Sequence, residues 1–147
     1  MGGVVTLDLE EGFSKVCERK FKSKVSGLIG RSGVGKLMDW LENTDFYRCP
    51  ASSRFHSAHE GGLVYHSLAV HETLLRLVDA FGLKEEYSPE TLAIVSLFHD
   101  LCKVNCYVEE KRNKKIDGRW VEVPYWGYKD DLPLGHGEKS IYIIQSL

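Results

Sequence analysis

Hydrophobic and polar positions follow the spacing of a helix over most of this chain, with one stretch of strand-like alternation. The longest apolar run, Leu92-Ala-Ile-Val-Ser-Leu-Phe, leads into His99-Asp100-Leu-Cys-Lys103. A helix apolar on nearly every side is a buried one. Ser88 supplies an N-cap and Pro89 suits the first helical position, so this helix is expected from there to about Val104. Leu9, Phe13, Val16, Cys17 and Phe21 predict a helix over roughly 8–24. A second is expected from Val34 to about Asn43, with Leu37, Met38 and Leu41 inward and Trp40 adding to the packing. A third spans about 63–81 and stops at Gly82. In it His66, Val70, Thr73 and Leu77 form a stripe facing the interior, and His71, about 140° further round, faces water or another neighbour.

From Asn105 the pattern shortens. Tyr107-Val-Glu-Glu-Lys and Trp120-Val-Glu-Val-Pro alternate on either side of Asp117-Gly118, which predicts a small β-hairpin at about 106–124. Lys111, Arg112, Lys114 and Lys115 crowd its tip, where solvation is favoured over contact with a phosphate-bearing partner. Pro124-Tyr-Trp-Gly-Tyr128 reads as an aromatic loop that packs under the hairpin, the alternative being stacking on a base. A last apolar helix follows Leu134-Gly-His136-Gly-Glu-Lys-Ser140. The fold class is mostly α.

A length of 147 residues suits one domain with a real core. The net charge of -2 does not favour a strongly electrostatic nucleic-acid binder. No apolar run reaches the roughly 18 residues of a membrane span, and no charged and apolar leader opens the chain, so a cytoplasmic protein is expected. Met1-Gly2-Gly3 with Thr6 matches the start of a myristoylation signal only weakly, and an ordinary start is favoured. Cys17, Cys49, Cys102 and Cys106 include no Cys-x-x-Cys pair and read as packing or spacer residues in a reducing cytosol, neither ligands nor a disulfide. Lys20, Lys22 and Lys24 read as a solvated face. Gly30-Arg-Ser-Gly-Val-Gly-Lys36 has phosphate-loop spacing, but Leu37 stands where a hydroxyl should meet magnesium, so a turn into a helix is the better reading.

The chemistry concentrates on histidines and one carboxylate. His99, Asp100 and Lys103 share one side of a buried helix end, where each must find a partner or a metal. Alone, His66 would be read as a satisfied core histidine; a second imidazole and a carboxylate on the next helix make a mixed nitrogen and oxygen cation site the sharper reading. Gly61-Gly62 permits a tight path just before the helix of His66, after His56, His59 and Glu60. His136, between two glycines ahead of a helix, is not placed as a core histidine.

Gly61-Gly62-Leu-Val-Tyr-His66-Ser-Leu, His99-Asp100-Leu-Cys-Lys103-Val and Gly135-His136-Gly-Glu-Lys-Ser, in this order, resemble the HD-domain metal-dependent phosphohydrolase superfamily. Phe55-His56-Ser-Ala-His59-Glu60-Gly-Gly-Leu looks most like its bacterial and phage branch, related to 3′–5′ exoribonuclease HD domains. The resemblance covers about residues 30–147 and implies a single HD-like helical bundle, with 1–30 as an N-terminal helical extension. It implies metal ligands His66, His99 and Asp100, with His136 as the additional ligand of two-metal members. Asp100 would also orient water, Lys103 would meet the substrate phosphate, and His56 would lie near the substrate. One or two divalent ions are implied (manganese, iron, magnesium, nickel or zinc), as is a nucleotide or nucleic-acid phosphate ester as substrate; a homo-oligomer is possible and no membrane partner is expected. The family also supplies another His and a closing Asp from later helices, and neither position appears by Leu147. The expectation is then a shortened product, or ligands from water or another chain. The alternative function is an HD-like binding or regulatory module without turnover.

Overall fold

Ser88 caps helix α4 (Pro89–Leu97), its hydroxyl accepting from the Thr91 amide at 3.1 Å, and Pro89 occupies the first helical position. The computed structural model describes residues 12–147. In chain order these form α1 (Phe13–Leu28), α2 (Val34–Glu42), α3 (Gly62–Ala80), α4, a single 3-10 turn (Leu101–Lys103), strands β1 (Tyr107–Ile116) and β2 (Arg119–Tyr128), and α5 (His136–Gln145). About half of the described residues are thus helical, with one two-stranded antiparallel sheet. None of their helices is long and apolar enough to cross a membrane. The Met1-Gly2-Gly3 motif, Thr6 and the predicted first turn of the N-terminal helix lie outside the described residues.

The core is the meeting of α1, α2, α3 and α4. Cys17, Phe21 and Val25 recur every fourth residue along α1 and are buried, as are Leu37 and Leu41 of α2. Phe21 packs against Phe46 and Phe98, with ring centroids 5.0 and 5.8 Å away. Leu63, Leu97 and Leu101 complete this interior with no exposed surface. Lys22 ties α1 to α2 through Glu18 and Glu42, at 2.6 and 2.5 Å. The Gly30–Lys36 stretch joins two helices, α1 and α2, and Gly33 enters α2 with φ 93°. It therefore lacks the strand that feeds a phosphate loop.

Three sequence expectations need correction. The central helix ends at Leu97 and does not reach Val104. His99 Nδ1 lies 2.7 Å from the Ser96 carbonyl, the group that the Asp100 amide would use in a continuing α-helix. The chain tightens instead into bonds from Leu101 to Phe98, Lys103 to Asp100 and Val104 to Leu101.

The inner face of α3 is also rotated. Leu63, Val64, Ser67, Leu68, His71 and Val78 are buried, whereas Thr73 and Leu77 are exposed and His66 is half-buried at the rim. His71, expected to face water or a different neighbour, is 1% exposed. It is tolerated inside because its Nδ1 meets Ser96 Oγ at 2.8 Å. Ser96 Oγ gives its own proton to the Leu92 carbonyl at 2.6 Å, so the imidazole is the donor in that contact.

The hairpin forms as expected, with Asp117 at φ 50° and Gly118 at φ 80°, as a two-residue turn of this kind requires. Its strands are longer than predicted. Pro124–Tyr128 is not a loop but the second half of β2, running in register from Lys111–Pro124 to Tyr107–Tyr128. Among the described residues no further strand lies on the other side of β2, so the missing proline amide costs no ladder bond there. Lys111, Arg112, Lys114 and Lys115 are exposed at the tip. All four cysteines are buried and free.

Candidate metal centre

Two glycines set the entrance to the site. Gly61 has φ 72°, and a Cβ on Gly62 would fall 1.9 Å from the Ser57 carbonyl oxygen. Only glycine lets α3 begin so close to the 51–57 segment. That segment is closed by Ala51 N donating to the Ser57 carbonyl at 3.0 Å and by Ser52 Oγ donating to the His56 carbonyl at 2.8 Å. It presents two things to the centre: the Ala51 carbonyl and the His56 ring. One turn into α3 stands His66, its ring centroid 4.8 Å from that of His56 and 5.2 Å from that of His99.

The other side of the site comes from the chain just after α4. A carbonyl can only accept, so the contact with Ser96 puts the proton of His99 on Nδ1 and turns Nε2 toward the site. His99 Nε2 lies 3.3 Å from His66 Nε2 and 3.2 Å from Asp100 Oδ2, and His66 Nε2 lies 3.4 Å from the same oxygen. Lys103 Nζ meets Asp100 Oδ2 at 2.8 Å and donates to the Ala51 carbonyl at 2.9 Å. Helix α5 pins the turn from behind: Ser140 Oγ donates to the His99 carbonyl at 3.0 Å and accepts from Cys102 N at 3.1 Å.

The donor set passes a geometric test for a cation. Its three nearest atoms form a triangle with edges of 3.2 to 3.4 Å. Ligands about 2.1 Å from one centre at tetrahedral angles stand about 3.4 Å apart. Two imidazoles and a carboxylate suit a borderline divalent ion. Among the described residues, His66, His99 and Asp100 are thus a group that could hold a metal.

Charge within the site is strongly coupled. Burial pushes the Asp100 carboxyl up, but hydrogen bonds from His66, His99 and Lys103 together outweigh it and hold the group well below the usual carboxylate range. The hydrogen bond to Asp100 raises His99, with burial opposing it. His56 is lowered, first by burial and then by repulsion from His66 and Lys103, which keeps its ring neutral.

The predicted residues therefore divide. His66, His99, Asp100 and Lys103 converge, and His56 stands beside them. His136 does not join that triangle. It opens α5 with its side chain exposed, and its Nδ1 lies 3.1 Å from Cys102 Sγ. Asp100, Cys102 and His136 form a second group of potential ligands. The sequence reads Cys102 as a packing or spacer residue; it is buried in the 3-10 turn, and its sulfur also lies among these potential ligands. Ser96 and Ser140 are further positioning groups that sequence spacing did not single out. Their signal was weak, a hydroxyl near the end of an apolar run and one inside Gly-His-Gly-Glu-Lys-Ser.

Open clefts mark the surface, one of them bordering His66. One of about 440 Å3 is lined by His66, Val70, Thr73, Leu77 and Val95, so the predicted interior stripe of α3 faces a surface recess. A groove of about 510 Å3 runs between Arg54, Phe55 and the Arg112, Tyr125 and Trp126 side of the hairpin. A further cleft of about 780 Å3 between α1 and α3 is lined by none of the proposed ligands. No protein-family model, curated protein or solved structure matches the chain.

Proposed function

We propose that the protein is a metal-dependent phosphohydrolase or phosphodiesterase of the HD-domain type, acting on a phosphate ester of a nucleotide or nucleic-acid end. The observation that carries this reading is the convergence of two imidazole nitrogens and a carboxylate oxygen within 3.2 to 3.4 Å of one another, beside a lysine. His66, His99 and Asp100 would hold the ion. A divalent ion in such a donor set acidifies water and offsets negative charge on a phosphoryl oxygen.

The chain's own groups do the rest. The Ser96 carbonyl fixes the His99 tautomer, so Nε2 needs no reorientation. Asp100 stays ionised at neutral pH and can orient a water by accepting its hydrogen bond. Lys103 brings an ammonium held from two sides, by Asp100 and by the Ala51 carbonyl, which suits it to a phosphate oxygen. His56, neutral and exposed, can donate or accept at the substrate's edge. Hydrolysis of bis-p-nitrophenyl phosphate with added manganese tests the reading. We expect turnover, and Lys103→Met should lower it by about 10²–10³-fold while the metal content stays. No turnover with any divalent ion in metal-loaded protein would refute it.

One observation favours a second reading, a binding or regulatory module. Lys103 already places a positive charge 2.8 Å from Asp100, so the carboxylate is compensated by the protein itself. In that case metal binds without hydrolysis, or Lys103 takes its place.

A further inference from the structure

The proposed catalytic triangle leaves a buried thiol facing an imidazole. Cys102 is 2% exposed, yet it is not enclosed by hydrocarbon on every side: His136 Nδ1 approaches its sulfur to 3.1 Å. The ligand atoms of Cys102, His136 and Asp100 all lie within 4.8 Å of one another. They come from separate elements, two from the turn after α4 and one from the start of α5, which Ser140 holds together. We propose that Cys102, His136 and Asp100 form a second, thiolate-containing cation site that takes a thiophilic divalent ion, zinc foremost.

Three features support the assignment. The contacts of His66, His99 and Lys103 all fall on Asp100 Oδ2, so Oδ1 is the oxygen left to serve the second group. The nearby ammonium of Lys139 is engaged elsewhere, with Asp130 at 2.6 Å and Cys106 Sγ at 3.3 Å, and does not stand between the donors. The donors are also softer. One sulfur, one imidazole and one carboxylate favour zinc over magnesium or manganese, unlike the all-nitrogen-and-oxygen triangle beside them. The two sites would therefore sort metals by type. Without a cation the Cys102 thiol can donate its proton to His136 Nδ1. Binding replaces the S–H bond by a sulfur–metal bond and releases that proton to solvent, with no change of oxidation state.

The inference rests on the proposed hydrolytic centre only through the shared Asp100. Cobalt(II) titration of the full chain tests it, read by bound cobalt per chain and by the thiolate-to-cobalt charge-transfer band. We expect two cobalt ions and the band in the native sequence. Cys102→Ser should keep one ion and lose the band. His136→Ala, at an exposed position, should do the same and guards against misfolding of the cysteine variant. His66→Ala should lose the other ion and keep the band. Absence of the band from the native protein, or its survival in Cys102→Ser, would overturn the thiolate site and leave a plain thiol–imidazole hydrogen bond. Two ions still bound by His66→Ala would instead overturn the neighbouring centre, with the band alone deciding the fate of the second.

Discussion

His71 is held neutral by burial, with repulsion from Lys24 adding to it, whereas His99 is raised by its hydrogen bond to Asp100. The same imidazole thus gives opposite linkage in two places. A lowered histidine favours the fold above its ordinary value of about 6.5 and weakens it as pH falls below, because the unfolded chain takes the proton first. A raised histidine contributes below about 6.5, and that contribution is lost as pH rises through the folded value. Thermal melts of metal-free protein between about pH 8 and about pH 5 should separate the two. His71→Leu should reduce the acid-side loss, leaving the part due to His56, and Ser96 Oγ keeps its bond to the Leu92 carbonyl. His99→Ala should make the acid-side loss steeper. Identical pH profiles for both variants would contradict these assignments. Spacing grouped His99, Asp100 and Lys103 at one end of a buried run, whereas His66 joined them through the ordered motifs, since the stripe it was expected to share with Val70, Thr73 and Leu77 is not the buried face. The sequence could not place His71, whose burial depends on a hydroxyl 25 positions away.

At the scale of elements, the site is a junction between the start of α3 and the end of α4. Gly62 is its tightest point. A methyl group there would fall 1.9 Å from the Ser57 carbonyl oxygen and 3.1 Å from Ala51 N, both backbone atoms. Gly62→Ala should destabilise the fold by about 1–3 kcal/mol or more and displace the 51–57 segment, which supplies the acceptor for Lys103. A melting temperature unchanged within a degree would contradict this contact. Elements with strong local signals were legible from spacing: the Ser88-Pro89 start, the Gly82 stop and the Asp117-Gly118 turn. Their ends and faces were less so. Helix α4 stops early because a side chain takes a backbone acceptor, and the aromatic end of β2 is strand because Tyr107–Tyr128 pairing extends the ladder. Both are tertiary effects that a periodic pattern does not carry.

For the whole molecule, four helices bury one core around Phe21, Leu41, Leu63 and Leu97, and the polar residues gather on one rim of it. The helical content, about half of the described residues, and the single hairpin followed from the spacing of apolar positions. The HD-domain reading proposed above rests on the ordered motifs of the sequence and on the convergence of His66, His99 and Asp100, since no family model, curated protein or solved structure matches the chain. A surface recess opens beside His66, and an aromatic and basic groove runs between Arg54, Phe55 and the hairpin. What decides whether the proposed hydrolysis occurs is whether a cation is bound between α3 and the turn after α4.

Manganese titration followed by electron paramagnetic resonance addresses that question directly, since the softer Cys102 group should not compete for this ion. The native protein should bind one manganese per chain, and His99→Ala and Asp100→Ala should each bind none while retaining the native circular dichroism. Equal manganese content in all three proteins, or none in the native one, would contradict a cation shared by His66, His99 and Asp100.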